Sequence, residues 1–169
     1  FRERYPASAS RVRGIDACAQ EIGCRPEVFA PVYRLLGCHT ASEFRDGVEI
    51  PLPKLGKTYH VGEDFLDMID GLRAIQEAVY FLNLDCGDRL GHAIALGTDV
   101  ENWYAGKQNR IALPVQDLLD NLAWFYHALQ HYQVPDSDLL RRELNKEFEY
   151  WFRNVYQNYM QDEDMQVIM

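Results

Sequence analysis

No stretch of these 169 residues approaches the ~20 consecutive apolar side chains that a helix needs to cross a bilayer. No signal peptide is visible either, so no membrane partner is expected. Cysteine is scarce: Cys18, Cys24, Cys38 and Cys86 are the only four, and none forms a Cys-x-x-Cys pair, which argues against a cysteine zinc site. Reduced, mostly buried thiols in a cytoplasmic protein are the expectation. Positive charge is short too, with 17 Lys and Arg against 26 Asp and Glu for a net charge of −9. Binding a duplex calls for a basic face, so duplex DNA is not an expected partner. A single nucleoside or nucleotide needs only local chemistry and stays open. The five histidines, His39, His60, His92, His127 and His131, include no His-x-His pair.

What is present is a core. Hydrophobic residues make up 47% of the chain, with ten Tyr, eight Phe and three Trp, well above what a disordered segment carries. After a polar arm (Phe1 to Ser10), residues 11–18 read as a buried strand. Pro26 opens a helix to about Leu36, with Phe29, Val32, Tyr33 and Leu36 at helical spacing. Gly47, Pro51, Pro53 and Gly56 mark residues 40–56 as a loop or short hairpin, and a β-prone run follows at 57–61. From Asp64 to Leu82 the apolar residues Leu66, Ile69, Leu72, Ile75, Val79 and Leu82 line one face of an amphipathic helix. Arg89 to Leu96 gives a third strand. Strand–helix–strand order repeating at roughly thirty residues is a βα unit and implies a parallel sheet.

Beyond residue 98 the pattern turns helical. Gly97 to Gly106 reads as a loop or short helical segment. Pro114 opens a helix to about Tyr132, and Ser137 can cap another to about Met160. The stripe Leu140, Leu144, Phe148, Trp151, Val155 and Tyr159 on that last helix reads as a core or subunit seam. Together with Trp124, Phe125 and Phe152 it suggests that residues 101–169, a helical insertion or extension after the 1–100 segment, serve self-association, making a homo-oligomer.

The residues with chemical promise lie in Lys57-Thr-Tyr-His-Val-Gly-Glu63 and in Arg89-Leu-Gly-His92. A His and a Glu three apart, just past a strand, can both face one pocket where the strand opens into a loop. A second His at the end of the next strand would face the same pocket, as chemistry gathers at the C-terminal strand ends of parallel α/β barrels. Each residue also has a plainer role. Glu63 could be a solvated carboxylate at the positive end of the following helix. Asp88 and Arg89 read as an ion pair or loop anchor. Trp103 and Tyr104 could pack the rim or stack on a base. His127 and His131 lie at i, i+4 on one helix, and no Glu follows His127 in the metalloprotease pattern, so they read as ordinary helix residues.

These two segments, preceded by Gly14-Ile-Asp-Ala-Cys-Ala-Gln-Glu21, resemble the adenosine deaminase branch of the metal-dependent amidohydrolases over about residues 11 to 100. The family's corresponding strands read Gly-(hydrophobic)-Asp-Leu-Ala-Gly-x-Glu, His-x-Gly-Glu and Arg-(Leu/Ile)-Gly-His. Gly14, Ile15, Asp16 and Glu21 fall in register, while Ala19 stands where the family has a Gly whose backbone contacts the purine. The resemblance implies an α/β fold, a partial TIM (β/α)8 barrel segment of about three parallel strands followed by the mostly helical insertion. It implies bound Zn2+ with His60 as one ligand, Glu63 and His92 as catalytic residues, and Asp16 and Ala19 at the substrate.

The implied activity is hydrolytic deamination of adenosine or an adenine nucleotide, the partner being a purine nucleoside or nucleotide. The family's His-x-His and last-strand Asp are not matched, since Asp162 and Asp164 lie in a polar tail. The signature of the other zinc deaminase class, His-x-Glu with Pro-Cys-x-x-Cys, is absent as well. A closed barrel takes ~250 residues, so the chain is expected to be an internal piece of a longer parent. The helical stretch suits a long-form relative such as the deaminase component of the bacterial RADAR anti-phage system. Two alternatives stand beside this: another metal-dependent amidohydrolase, or a noncatalytic assembly relative.

Overall fold

Burial alternates along Lys57-Thr-Tyr-His-Val61: Lys57, Tyr59 and Val61 are buried, while Thr58 and His60 are half-buried on the other side. That is the period-two pattern of a strand with one well-covered face. In the computed structural model, which describes residues 1–18 and 20–156, this strand is the middle of a three-stranded parallel sheet. A short helix α1 (Pro6–Ala9) precedes β1 (Gly14–Ala17), which pairs with β4 (Gly56–Val61), and β4 pairs with β5 (Arg89–His92). Between them β2 (Ser42–Arg45) and β3 (Val48–Pro51) form a separate antiparallel hairpin. Its two-residue loop, Asp46-Gly47, has φ of 52° and 80°, the paired left-handed conformation that matches strand twist in tight hairpins. The chain is thus mixed α/β, in two compact units, Phe1–Trp103 and Tyr104–Met169.

Helices cover the Tyr59 face. A 3-10 turn at Pro26–Phe29 runs into α2 (Ala30–Cys38), and α3 (Met68–Phe81) joins β4 to β5. The Tyr59 ring lies 5.6 Å from that of Phe29 and 5.9 Å from that of Tyr33, and the Tyr33 hydroxyl donates to the Thr58 carbonyl at 2.6 Å. Burial pushes both phenols, Tyr33 and Tyr59, up to about 12.

On α3 the buried positions are Met68, Asp70, Gly71, Arg73, Ala74, Ile75 and Ala78, while Val79 of the expected stripe is exposed. The helix is rotated because polar residues on it have partners. Arg25 binds Asp70 at 2.7 Å and Glu77 at 2.5 Å, and Arg73 reaches the same two carboxylates at 3.3 and 3.5 Å. Burial alone would lower the Arg25 pKa, but Glu77 and Asp70 outweigh it and the pKa is raised.

Several expectations are corrected. The strand expected to be buried over 11–18 is only Gly14–Ala17, alternately exposed and half-buried, because among the described residues it pairs on one side only. The helix expected from Asp64 begins at Met68, since Gly62 to Asp67 turn the chain back from the strand end. The strand expected through Leu96 stops at His92, where His92 and Ala93 take φ of 58° and 48° and lead into a 3-10 turn, Ile94–Leu96. The thiols are not buried: Cys18, Cys38 and Cys86 are exposed and Cys24 half-buried. They sit at element ends and in loops, outside the helix–sheet core.

Helix α4 (Val100–Gly106) begins before the boundary of the units, and within the second unit α5 (Val115–His131) packs on α6 (Asp138–Tyr156). Phe148, Phe152 and Tyr156 form a ladder of rings, 5.6 and 4.8 Å apart, bordering the seam with α5. Leu140 and Val155, expected in the stripe, are exposed. The Ser137 hydroxyl donates to the Val134 carbonyl at 2.7 Å, turned back toward the loop before α6. The expected ends of the chain's features at Tyr159, Met160, Asp162 and Asp164 lie outside the described residues. Among the described residues no helix is long and apolar enough to cross a membrane.

Candidate active site

Register brings the first two groups together. Asp16 pairs with Thr58 and His60 with Gly91, so Asp16, Thr58, His60 and Gly91 share the face of the sheet opposite Tyr59. The His60 ring lies over Gly91. A Cβ there would sit 2.3 Å from His60 Cδ2, which only glycine avoids. His60 Nδ1 meets Asp16 Oδ1 at 3.1 Å, and this bond fixes the ring's tilt and leaves Nε2 for another ligand.

The turn after β4 places the next group. Gly62 has φ +78°, and a Cβ on it would come 2.6 Å from Ile75 Cδ1, so both backbone and space require glycine. The Gly62 amide donates to Glu21 Oε2 at 2.6 Å and the Glu63 amide to Glu21 Oε1 at 3.0 Å. Glu63 Oε2 then reaches His92 Nε2 at 3.0 Å.

His92 arrives by a different device. Its register partner is Val61, which faces the helix-covered side, so an ordinary extended His92 would point there too. Its left-handed φ instead diverts the side chain toward Glu63 and His60, whose ring centroid is 5.1 Å from that of His92. The turn is held by the Ala93 amide, which donates to the Val61 carbonyl at 3.0 Å, and by the Ala95 amide, which donates to the Gly62 carbonyl at 3.0 Å. Left-handed backbone at non-glycine residues costs on the order of 1 kcal/mol each and tends to cluster at functional sites.

The result is a cluster of two imidazoles and two carboxylates at the C-terminal ends of three parallel strands. It is open to solvent: the side chains of Asp16, Glu63 and His92 are each 44% exposed and that of His60 27%. Paired imidazole and carboxylate can pass a proton between them, and a carboxylate-oriented His is the usual form of a metal-ligating His. The donor atoms of Asp16, Cys18 and His60 also lie within 4.8 Å of one another, an O, S and N set of the kind that zinc accepts. His60, steadied by Asp16, is placed to serve as one ligand of a metal ion. His92 is engaged with Glu63, so among the described residues no second imidazole stands ready beside it.

Other candidates fall elsewhere. Asp88 is an anchor paired with Lys57, not with Arg89: it accepts from the Lys57 and Asp85 amides at 2.8 and 2.9 Å and lies 3.2 Å from Lys57 Nζ. Burial would raise its pKa, but these donors outweigh it and hold the carboxyl below its ordinary value. Trp103 stacks on Phe65, centroids 5.7 Å apart. His127 and His131 stack on each other at 5.8 Å along α5. Ala19, expected at the substrate, lies outside the described residues. Asp16, expected at the substrate too, faces His60. Glu21 closes the strand motif that resembles the family's, but the motif assigns it no role; its carboxylate accepts the two amides of the turn after β4.

No family model matches this chain, and no curated protein matches it.

Proposed function

We propose that this chain is part of an adenosine deaminase-type amidohydrolase barrel, and that the protein releases ammonia hydrolytically from adenosine or an adenine nucleotide. One observation carries the proposal: His60, Glu63 and His92, the residues the family resemblance singles out, converge at the ends of two adjacent parallel strands with Asp16 behind His60. The barrel reading is supported by β4, which has helices over Tyr59 and its neighbours and functional side chains on the other face.

His60 would hold zinc through Nε2, with Asp16 on Nδ1 fixing the ring and raising its basicity. The remaining ligands would come from residues beyond those described. Bound zinc supplies a water acidified to near neutrality. Glu63 would give a proton to the purine ring nitrogen beside the carbon under attack, take one back from the oxygen that has added, and pass it to the departing amine; the next water would restore its first proton. His92, bonded to Glu63, would orient the attacking oxygen and offset the charge it develops. Water enters, an inosine-type base and ammonia leave, and the two side chains end as they began.

The test is ammonia release from a panel of adenosine, deoxyadenosine and adenine nucleotides by the zinc-loaded full-length protein. Release from one class and loss on chelation are expected. No release from any adenine compound, with zinc bound, would remove the proposal.

A further inference from the structure

We infer that Glu21 is a positioning residue: its carboxylate clamps the Gly62–Glu63 backbone and so fixes where the Glu63 side chain stands against His92. The clamp itself rests on geometry alone, while its catalytic consequence rests on the deaminase reading.

Two successive amides, those of Gly62 and Glu63, point at one carboxylate at 2.6 and 3.0 Å, one to each oxygen. The left-handed Gly62, φ +78°, is what turns both amides to the same side, making a small anion-binding nest. A carboxylate fills such a nest with two charge-assisted bonds, each stronger than a neutral one. Glu21 is itself held from behind. The Cys24 amide donates to the Glu21 carbonyl at 3.1 Å, and the next residue, Arg25, is ion-paired to Asp70 and Glu77 of α3 at 2.7 and 2.5 Å. The loop after β1 is therefore tied to α3 at one end and to the turn after β4 at the other. Glu63 is the residue whose amide the clamp grips, and its side chain is the one that reaches His92 Nε2 at 3.0 Å. Releasing the grip lets the Glu63 backbone rotate and the 3.0 Å contact lengthen.

Glutamine in place of Glu21 offers one oxygen and one NH2, so one amide loses its acceptor and faces a donor instead. In the full-length protein, Glu21→Gln should speed hydrogen exchange at the Gly62 and Glu63 amides while the amides of Tyr59 and Val61 keep their protection. It should lower kcat by about tenfold or more, as sub-ångström misplacement of a catalytic group does, with KM and zinc content unchanged. In a Glu63→Gln background the same change should add less than about twofold, because Glu21 acts through Glu63. Loss of a merely structural anchor would raise KM and reduce zinc binding while lowering kcat, and would give additive losses in that cycle.

Glu21→Asp, which keeps the carboxylate but falls one methylene short of reaching the two amides, should show the same signature and covers the case in which Glu21→Gln does not fold. Unchanged exchange at Gly62 and Glu63 overturns the clamp whatever the activity. Faster exchange with unchanged kcat, or additive losses, overturns the positioning role. Faster exchange in a protein that deaminates nothing sinks the deaminase reading and upholds the clamp.

Discussion

Glu63 lies just beyond the end of β4 and His92 closes β5, yet Glu63 Oε2 and His92 Nε2 are 3.0 Å apart. Each reaches the other by leaving ordinary strand geometry, Glu63 through left-handed Gly62 at φ +78° and His92 through its own φ of 58°. The pair is thus made by two backbone reversals at neighbouring strand ends. Disturbing the sheet beneath His60 should disturb metal binding, whereas disturbing the pair should disturb proton transfer.

Gly91→Ala separates those effects. Its Cβ would fall 2.3 Å from His60 Cδ2 and 2.7 Å from Nε2, and the ring cannot yield without parting from Asp16. Forced overpacking costs about 1–3 kcal/mol, so the melting temperature should drop by several degrees. Bound zinc in the full-length protein should fall toward the level of His60→Ala. Full zinc occupancy in Gly91→Ala would count against His60 as a ligand.

Stability should respond to pH at both ends of the scale. Asp88 is held below its ordinary value of 3.8, so its contribution is complete above that value and is lost as pH falls through the lower, folded one. Asp88→Asn should reduce stability at neutral pH by on the order of 2 kcal/mol and flatten the loss below about pH 4. Tyr33 and Tyr59 are raised from 10.0 to about 12; their neutral forms stabilise the fold below 10 and that contribution disappears as pH climbs toward 12. Denaturant melts from pH 2 to 12 read both limbs, and an acid limb unchanged by Asp88→Asn would contradict the assignment.

The aromatic seam of the second unit makes a prediction of its own. Phe152 is 8% exposed, stacks on Phe148 and meets Tyr156 at a tilt, beside a groove of about 430 Å3 lined also by Leu119, Ala123 and Leu144. Phe152→Ala should cost the α5–α6 pair about 3 kcal/mol. Limited proteolysis should then cut between Val115 and Tyr156 while the sheet-bearing unit survives. Equal protease resistance with and without the ring would show that the seam contributes little. Phe148 borders the same internal seam, so a charge placed there would open the helix pair before it could report on any contact between subunits.

How much of this could be read from the residues alone depends on the kind of interaction. The strand–helix–strand unit was legible because apolar periodicity changes from two to nearly four across Val61 and Met68. The meeting of His60, Glu63 and His92 was legible because short motifs at strand ends share one neighbourhood in a parallel sheet. The rotation of α3 was not, since a hydrophobic stripe cannot reveal that Asp70 and Arg73 are buried against Arg25, some forty-five residues upstream of Asp70. Nor was the left-handed pair His92-Ala93, because neither residue announces positive φ as a glycine does. Glu21 stood in a recognisable motif, but what it does was not legible for a third reason: its partners are backbone amides, which leave no trace in the side-chain pattern.

The deaminase account turns on Glu63 as the proton carrier, and one substitution tests that most directly. Glu63→Gln in the full-length protein should leave the fold and the zinc content unchanged and reduce ammonia release by at least about a hundredfold, the scale of losing a general acid–base. Near-normal release from the zinc-replete variant would contradict the account.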